Sequence, residues 1–135
     1  MLNRERKTLR QVERQEPYYV IITGFGHYYD KKPFAIGNLI RCRKEADNCH
    51  DGEAIKCTLP MLGTVGYIAN SAYTVAGGTM SAGRIYDKVD EKFYVRVLFT
   101  TGSKIICRVE QGCVERLGKE LEEQQKDEDD WGNKL

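Results

Sequence analysis

The segment from Lys92 to Glu110, KFYVRVLFTTGSKIICRVE, alternates apolar and polar side chains on both sides of a Thr-Gly pair. The apolar series consists of Phe93, Val95, Val97 and Phe99, then Ile105, Cys107 and Val109. A period of two places every second side chain on the same face of an extended strand. The segment therefore predicts two antiparallel strands joined by a turn at Thr101 and Gly102.

Strand signals of the same kind recur through the preceding part of the chain. The segments are YYVIIT (Tyr18 to Thr23), NLIRCR (Asn38 to Arg43), AIKCT (Ala54 to Thr58), TVGYIA (Thr64 to Ala69) and SAGRIYDKV (Ser81 to Val89). They are rich in β-branched and aromatic residues and are separated by turn-forming residues. About six or seven short strands predict a mainly β domain closed into a small barrel, because closure removes exposed strand edges.

One short helix is predicted after the fourth strand. Asn70 is a good N-cap for the segment SAYTVA (residues 71–76), and two glycines follow as a C-terminal stop. The chain thus divides into a polar N-terminal arm (residues 1–16), a β-barrel (residues 17–110) and an acidic C-terminal tail (residues 111–135).

The tail combines a short apolar pattern with a long polar run. Val114, Leu117 and Leu121 are spaced by three and four residues, which predicts that one or two helical turns dock on the barrel. The remainder, EEQQKDEDD, is predicted to be solvated and mobile. The tail could compete with a polyanion for the basic face or simply solubilise the terminus.

The net charge of +1 hides an uneven distribution of charges. The segment 17–110 carries twelve basic and nine acidic residues, whereas the segment 111–135 carries four and eight. A mildly basic barrel is compatible with nucleic acid but lacks a strong basic stripe. No apolar run approaches the roughly 20 residues of a membrane span, and the N-terminus lacks an apolar signal core, so we expect a cytoplasmic protein without membrane contact.

The five cysteines contain no CxxC pair. Without a secretion signal a disulfide framework is not expected, and cysteines on strand-like segments are expected to be buried thiols. A zinc site could be drawn from Cys42, Cys49, His50 and Cys57. Its C-x6-C-H-x6-C spacing matches none of the usual ligand pairs, so we predict neither a metal nor another cofactor.

The loop GFGHYYDKKPFAIG (residues 24–37) is unusually rich in aromatic residues. These are Phe25, His27, Tyr28, Tyr29 and Phe34. Loops are usually polar, so the clustering has two interpretations. The rings could cover an open end of the barrel, or they could form a stacking surface for bases.

A polar segment, DNCHDG (residues 47–52), lies between two predicted strands. Its carboxylates, thiol and imidazole could form a metal site, a catalytic cluster, a ligand loop or a turn. Asp51 could cap backbone amides, because Asp side chains accept hydrogen bonds from amides two residues further along. The capping interpretation and a binding role for Asp51 are compatible.

The order of these motifs resembles the HIRAN domain. The similarity rests on GFGHYY, RKEADNCHDGEAIKC and GTVGYIANSAYTVA, in this order. The matching positions are Glu45, Asn48, His50, Asp51, Ala54 and Ile55, followed by Gly63, Val65, Gly66, Tyr67 and Ile68. The resemblance implies an OB-like or SH3-like β-barrel that binds DNA.

The resemblance also implies roles for individual residues. Asp51 would accept a hydrogen bond from a strand's 3′-hydroxyl, while His50 and one of His27 or Tyr28 would stack on the terminal base. A carboxylate only accepts hydrogen bonds and repels a phosphate, so it can detect a free end. The candidate nucleic-acid-binding residues are Asp51, His50, Asn48, His27, Tyr28, Arg41, Arg43, Lys44, Tyr67 and Asn70.

The chain departs from this family at two basic positions. Gly26 or His27 stands where the family's DNA-binding pattern has an arginine, and Asn70 stands where it has a lysine. Both differences remove positive charge that would contact phosphates. The basic residues that could substitute are Lys31, Lys32, Arg41, Arg43 and Lys44.

Three functions compete at this point. The leading one is a non-catalytic module that recognises single-stranded DNA or DNA 3′ ends in DNA repair or processing, beside a helicase or nuclease. The second is a protein-interaction or regulatory barrel that has lost DNA binding. The third is a small metal-dependent hydrolase using Asp47, His50 and Asp51, which is disfavoured because adjacent residues in an extended segment point apart.

Overall fold

A computed structural model describes residues 17–49, 51–71 and 77–133, with side chains described up to residue 126 in the last helix. The strands are β1 (Tyr19–Thr23), β2 (Leu39–Lys44), β3 (Ile55–Leu59), β4 (Gly63–Ile68), β5 (Lys92–Thr100) and β6 (Ile105–Glu110). The predicted N-terminal arm, His50 and almost all of the helix predicted over residues 71–76 lie outside the described residues.

The six strands form a closed antiparallel barrel in the order β1-β4-β3-β2-β5-β6. Closure follows from β1, which pairs with β4 on one side and with β6 on the other. The predicted mainly β, OB-like barrel is confirmed, with six strands. The alternation within each strand explains the closure, because one face of every strand buries its side chains in a shared interior.

The barrel interior is apolar and closely packed. Ile22, Ile40, Val65 and Val95 are fully buried. Gly66 on β4 approaches β1 closely, so a Cβ atom there would lie 2.6 Å from Cγ2 of Ile22. The barrel wall therefore requires a glycine at this position.

Three cysteines belong to this interior as buried thiols. Cys42 and Cys57 are directly opposite each other on β2 and β3, with their Sγ atoms 3.8 Å apart. Burial raises the pKa of the Cys57 and Cys107 thiols well above their usual value. The neutral thiols therefore pack as small apolar groups.

The segment predicted as a strand over residues 81–89 is helical instead. It forms α1 (Ala82–Ile85) and then a 3-10 turn (Tyr86–Lys88). The Ser81 hydroxyl caps this helix by accepting a hydrogen bond from the Arg84 amide at 3.3 Å. Ala82 and Ile85 are both buried, and their spacing of three residues suits a helix better than a strand.

The C-terminal tail is also more ordered than predicted, because it forms α2 (Val114–Asn133). Leu117 and Leu121 are buried as predicted, whereas Val114 is 47% exposed. The carboxylate of Glu120 lies 2.9 Å from the guanidinium of Arg96 on β5. The helix docks on the outer face of β2 and β5, where Leu39 and Tyr94 are buried. None of the helices in the described part of the chain has the length and hydropathy to span a membrane.

Gln124 on α2 makes a paired contact with the backbone of β2. The Leu39 amide donates to Oε1 of Gln124 at 2.6 Å, and Nε2 of Gln124 donates to the Leu39 carbonyl at 3.1 Å. Leu39 pairs with Arg96 on β5, whereas pairing between β2 and β3 begins only at Arg41. The Gln124 amide therefore satisfies backbone groups that β3 does not reach.

Candidate functional site

The connection between β2 and β3 is held by its own side chains. The Asp51 amide donates to Oδ1 of Asn48 at 3.1 Å, and the Glu53 amide donates to Oδ1 of Asp51 at 2.9 Å. The second bond is the backbone cap that Asp51 was expected to form. This cap fixes the orientation of the Asp51 carboxylate. It uses Oδ1 and leaves the second oxygen, Oδ2, on the side away from the Glu53 amide.

Asn70 joins this loop to the end of β4 and to α1. Its Nδ2 lies 3.4 Å from Oδ2 of Asp51, and its Oδ1 accepts a hydrogen bond from the Gly83 amide at 2.8 Å. A Cβ atom at Gly83 would lie 3.0 Å from the Glu53 carboxylate and 3.2 Å from Oδ1 of Asn70. Asn70 therefore positions one side of the Asp51 carboxylate instead of carrying a phosphate-binding charge.

Glu45 is the centre of the hydrogen-bond network on the other side of the loop. Its Oε1 accepts a hydrogen bond from Asn48 Nδ2 at 2.7 Å, and its Oε2 accepts one from the Tyr67 hydroxyl at 3.2 Å. Its Oε2 also lies 3.6 Å from Nζ of Lys56. Neither Glu45 nor Lys56 was predicted as a site residue, although Glu45 belongs to the motif that carries the resemblance.

Partial burial, together with the charge of Glu45, raises the pKa of Tyr67 to about 12. Tyr28 also contributes to this shift through its contact with the Tyr67 hydroxyl. The Tyr67 phenol therefore remains neutral and donates to Glu45. These contacts connect the aromatic loop to the loop that carries Asp51.

We expect the ionisation of Tyr67 to follow from this contact. Because its pKa is raised from 10.0 to about 12, the neutral phenol stabilises the fold below pH 10, and this stabilisation is lost as the pH rises towards 12. The difference in tyrosinate absorbance between the wild type and Tyr67→Phe should titrate near pH 12. Glu45→Gln should lower this pKa, and an unchanged value would contradict the role of Glu45.

The rings of the aromatic loop fall into two groups, one buried and one exposed. Phe25 and Phe34 are buried and pack edge to face, with ring centroids 6.0 Å apart. Tyr28 and Tyr29 are 43% and 44% exposed. His27 is exposed as well. Two rings are therefore part of the core, while Tyr28 lies next to Tyr67 and Tyr29 contacts the β3–β4 turn.

The predicted basic residues do not all converge on this site. Lys44 is held elsewhere, since its Nζ donates to the Val89 carbonyl at 2.7 Å and lies 4.6 Å from the centre of the Tyr86 ring. Arg41 is half-buried and donates from Nε to the Thr58 hydroxyl at 3.2 Å. Arg43 is exposed on the outer face of the barrel. Lys44 therefore makes intramolecular contacts, although it lines the same groove as Arg43 and Lys56.

The three described residues of the candidate zinc set, Cys42, Cys49 and Cys57, do not form a cluster. Cys42 and Cys57 are buried inside the barrel, whereas Cys49 is exposed on the loop. Among the described residues, no group of three or more His, Cys, Asp or Glu side chains could hold a metal ion.

Comparison of the chain with protein-family models, curated proteins and solved structures finds no match. Function must therefore be inferred from the residues themselves. Of the predicted binding residues, the structure links Tyr28, Tyr67, Asn48, Asp51 and Asn70 through Glu45 and the two loops.

Proposed function

We propose that this protein is a non-catalytic nucleic-acid-binding module that recognises single-stranded DNA or a DNA 3′ end, in DNA repair or processing. The observation that carries the proposal is the connected set of contacts from Tyr28 through Tyr67 and Asn48 to Asp51. It joins exposed aromatic rings to an oriented carboxylate, although these groups come from separate parts of the chain. The resemblance to the HIRAN domain supports the same function.

Asp51 has the chemistry of an end detector. Its Oδ1 is occupied by the Glu53 amide at 2.9 Å, whereas the contact of Oδ2 within the described part of the chain is a long one of 3.4 Å with Asn70. Oδ2 therefore retains the capacity to accept a hydrogen bond from a hydroxyl group. A strand that continued with a phosphate at this point would bring two negative charges together, which disfavours internal positions.

Tyr28 supplies the stacking component. Its ring is 43% exposed and lies beside Tyr67, so a flat base could pack on it without displacing the core. Stacking on an aromatic side chain contributes about 1 to 3 kcal/mol per base and tolerates any sequence. Binding should therefore depend on the strand's end more than on its base sequence.

The proposal is tested by fluorescence anisotropy with single strands that end in a 3′-hydroxyl or a 3′-phosphate at low salt. We expect about tenfold or greater preference for the hydroxyl end, the size of one hydrogen bond to a charged group. Asp51→Asn keeps an oxygen that can cap Glu53 but removes the charge, so it should bring the two affinities close together. Asp47→Asn, an exposed carboxylate in the same loop, is the matched control.

Two outcomes would contradict this proposal. Equal wild-type binding to both ends would exclude end recognition, and no binding to either strand would exclude the nucleic-acid function. Loss of the preference in Asp47→Asn as well as in Asp51→Asn would assign the effect to the total charge of the loop.

A second candidate is a protein-interaction barrel. It is favoured by exposed apolar side chains beside the aromatic loop, where the Tyr29 hydroxyl donates to the Leu62 carbonyl at 3.1 Å and Met61 is 86% exposed. Exposed apolar groups of this kind often mark partner surfaces. Retention of one defined protein partner, lost in Met61→Lys, together with no retention on single-stranded DNA would favour this function.

A further inference from the structure

Three cations form a row across adjacent strands on the outer face of the barrel. In the register of the sheet, Lys56 on β3 is opposite Arg43 on β2, and Arg43 is opposite Lys92 on β5. Their sequence neighbours Cys42 and Phe93 are buried inside. Because directly opposed residues point to the same face, Lys56, Arg43 and Lys92 project outward together.

This cation row carries electrostatic repulsion that the protein only partly relieves. Like charges directly opposite each other destabilise a sheet. Within the described residues, Lys56 forms an ion pair with Glu45, but neither Arg43 nor Lys92 has one. Repulsion between neighbouring cations is expected where a surface binds a ligand. A bound anion would relieve this repulsion.

The cation row begins beside the proposed end-binding site. Lys56 is opposite Tyr67 on β4, and both residues contact Glu45, whose partner Asn48 holds the Asp51 amide. Moving from Tyr67 across β3 and β2 to β5 therefore leads away from Asp51 along one continuous surface. A DNA strand that leaves the end-binding site could therefore run over this surface.

The described part of α2 leaves the row accessible, because Arg43 and Lys92 are exposed even though Lys92 lines a cavity with Val114 and Leu117 at the start of the helix. Gln124 contacts Leu39, which precedes Arg43 by four residues on β2, a distance of about 13 Å along the strand. Glu120 is engaged with Arg96, which is directly opposite Leu39 and is therefore equally far from the row. Arg43 itself is exposed, and no acidic residue in the described part of α2 forms an ion pair with it.

We propose that Lys56, Arg43 and Lys92 carry the phosphates of the strand whose 3′-terminal nucleotide lies at Asp51. The inference rests on the proposed function and adds the path that the DNA strand takes over the barrel. Neighbouring β-strands are about 4.8 Å apart, so the three cations span about 10 Å. This length matches about three phosphates of a stacked DNA strand. The path runs across the barrel strands rather than along them.

Nearby carboxylates determine the positive potential of the cation row. Arg43 and Lys56 line a groove of about 450 Å³ together with Glu45, Asp47 and Glu91. Glu45 is paired with Lys56, but Asp47 and Glu91 lower the positive potential. We therefore expect a few phosphate contacts and a shallow dependence on salt, unlike that of a strongly basic cleft.

The test compares Arg43→Gln and Lys92→Gln with Lys104→Gln as the matched control. Lys104 lies in the β5–β6 turn, at the opposite end of β5 from Lys92. Anisotropy is measured with a dinucleotide and a hexanucleotide, each ending in a 3′-hydroxyl, over a range of salt concentrations. Circular dichroism verifies that each variant is folded.

We expect each row variant to weaken hexanucleotide binding about two- to fivefold, the effect of one exposed charge pair. The slope of log affinity against log salt should fall by about 0.7 for each lost contact with a single strand. Dinucleotide binding and the preference for a 3′-hydroxyl should remain unchanged, as should all values for Lys104→Gln.

The outcomes separate the strand path from the end site. If the row variants behave like Lys104→Gln while the hydroxyl preference persists, the path is overturned and end recognition stands. If the row variants weaken binding but the wild type ignores the 3′ group, end recognition is overturned and the row is supported as a phosphate surface. No binding of either oligonucleotide overturns both.

Discussion

Gly66→Ala is expected to lower the free energy of unfolding by about 3 kcal/mol, because the added methyl group enters a space that β1 already occupies. The new Cβ would lie 2.6 Å from Cγ2 of Ile22 and 3.0 Å from the Thr23 carbonyl oxygen. The second contact is with backbone, which a rotamer change cannot relieve. The strands β1 and β4 would have to separate locally.

Urea denaturation followed by circular dichroism measures this effect. The control is Gly102→Ala in the β5–β6 turn, where an added Cβ would have no heavy atom within 4 Å. It should change the stability by less than about 0.5 kcal/mol. Equal stabilities of the two variants would show that the contact between β1 and β4 is looser than described. Because Tyr67 follows Gly66 on β4, Gly66→Ala should also weaken oligonucleotide binding.

Leu121→Ala is expected to cost about 2 to 5 kcal/mol of stability, the range for truncating a buried leucine. Leu121 is 2% exposed, and it lies on the docked face of α2 between Leu117 and Gln124. Its truncation removes apolar contacts and leaves a cavity between the helix and the barrel. The whole unfolding transition, followed by its helical signal, should shift to a lower urea concentration than in the wild type.

Val114→Ala on the same helix is the matched control for Leu121→Ala. Val114 is 47% exposed, so its truncation should cost well under about 1 kcal/mol. If both variants had the same stability as the wild type, α2 would contribute nothing to the fold. A helix that unfolds separately from the barrel would instead give two transitions.

The strands could be predicted from sequence because their signal is local. The alternation in residues 92–110 corresponds to β5 and β6, and YYVIIT corresponds to β1. The segment 81–89 was assigned wrongly because its Ile and Tyr residues suit a strand, while the Ser81 cap and the buried pair Ala82 and Ile85 suit a helix. Short helices carry too few residues for periodicity to decide.

The length of α2 could not be predicted because its support is not local. EEQQKDEDD has little apolar character, and in isolation it resembles a solvated tail. The helix is held by the Leu39 backbone and by Arg96, both on strands far away in sequence. Such contacts require the register of the barrel, which a single sequence does not reveal.

Only part of the candidate site could be predicted from sequence, because some of its residues belong to local motifs and others meet only through strand pairing. Asn48, Asp51 and Tyr67 belong to motifs, and the structure connects them. The cation row could not be predicted, because Lys92 lies almost 50 residues from Arg43 in the chain and meets it only through the pairing of β2 with β5. Residues that act through strand register leave no local pattern.

The paired hydrogen bonds between Gln124 and Leu39 have a consequence for the behaviour of the protein in solution. An unpaired strand edge is a template on which a second chain can add a strand, and this is a route to aggregation. One glutamine side chain occupies the open amide and carbonyl where β3 stops pairing with β2. We therefore expect α2 to limit edge-to-edge association of the barrel, an effect that does not depend on any ligand.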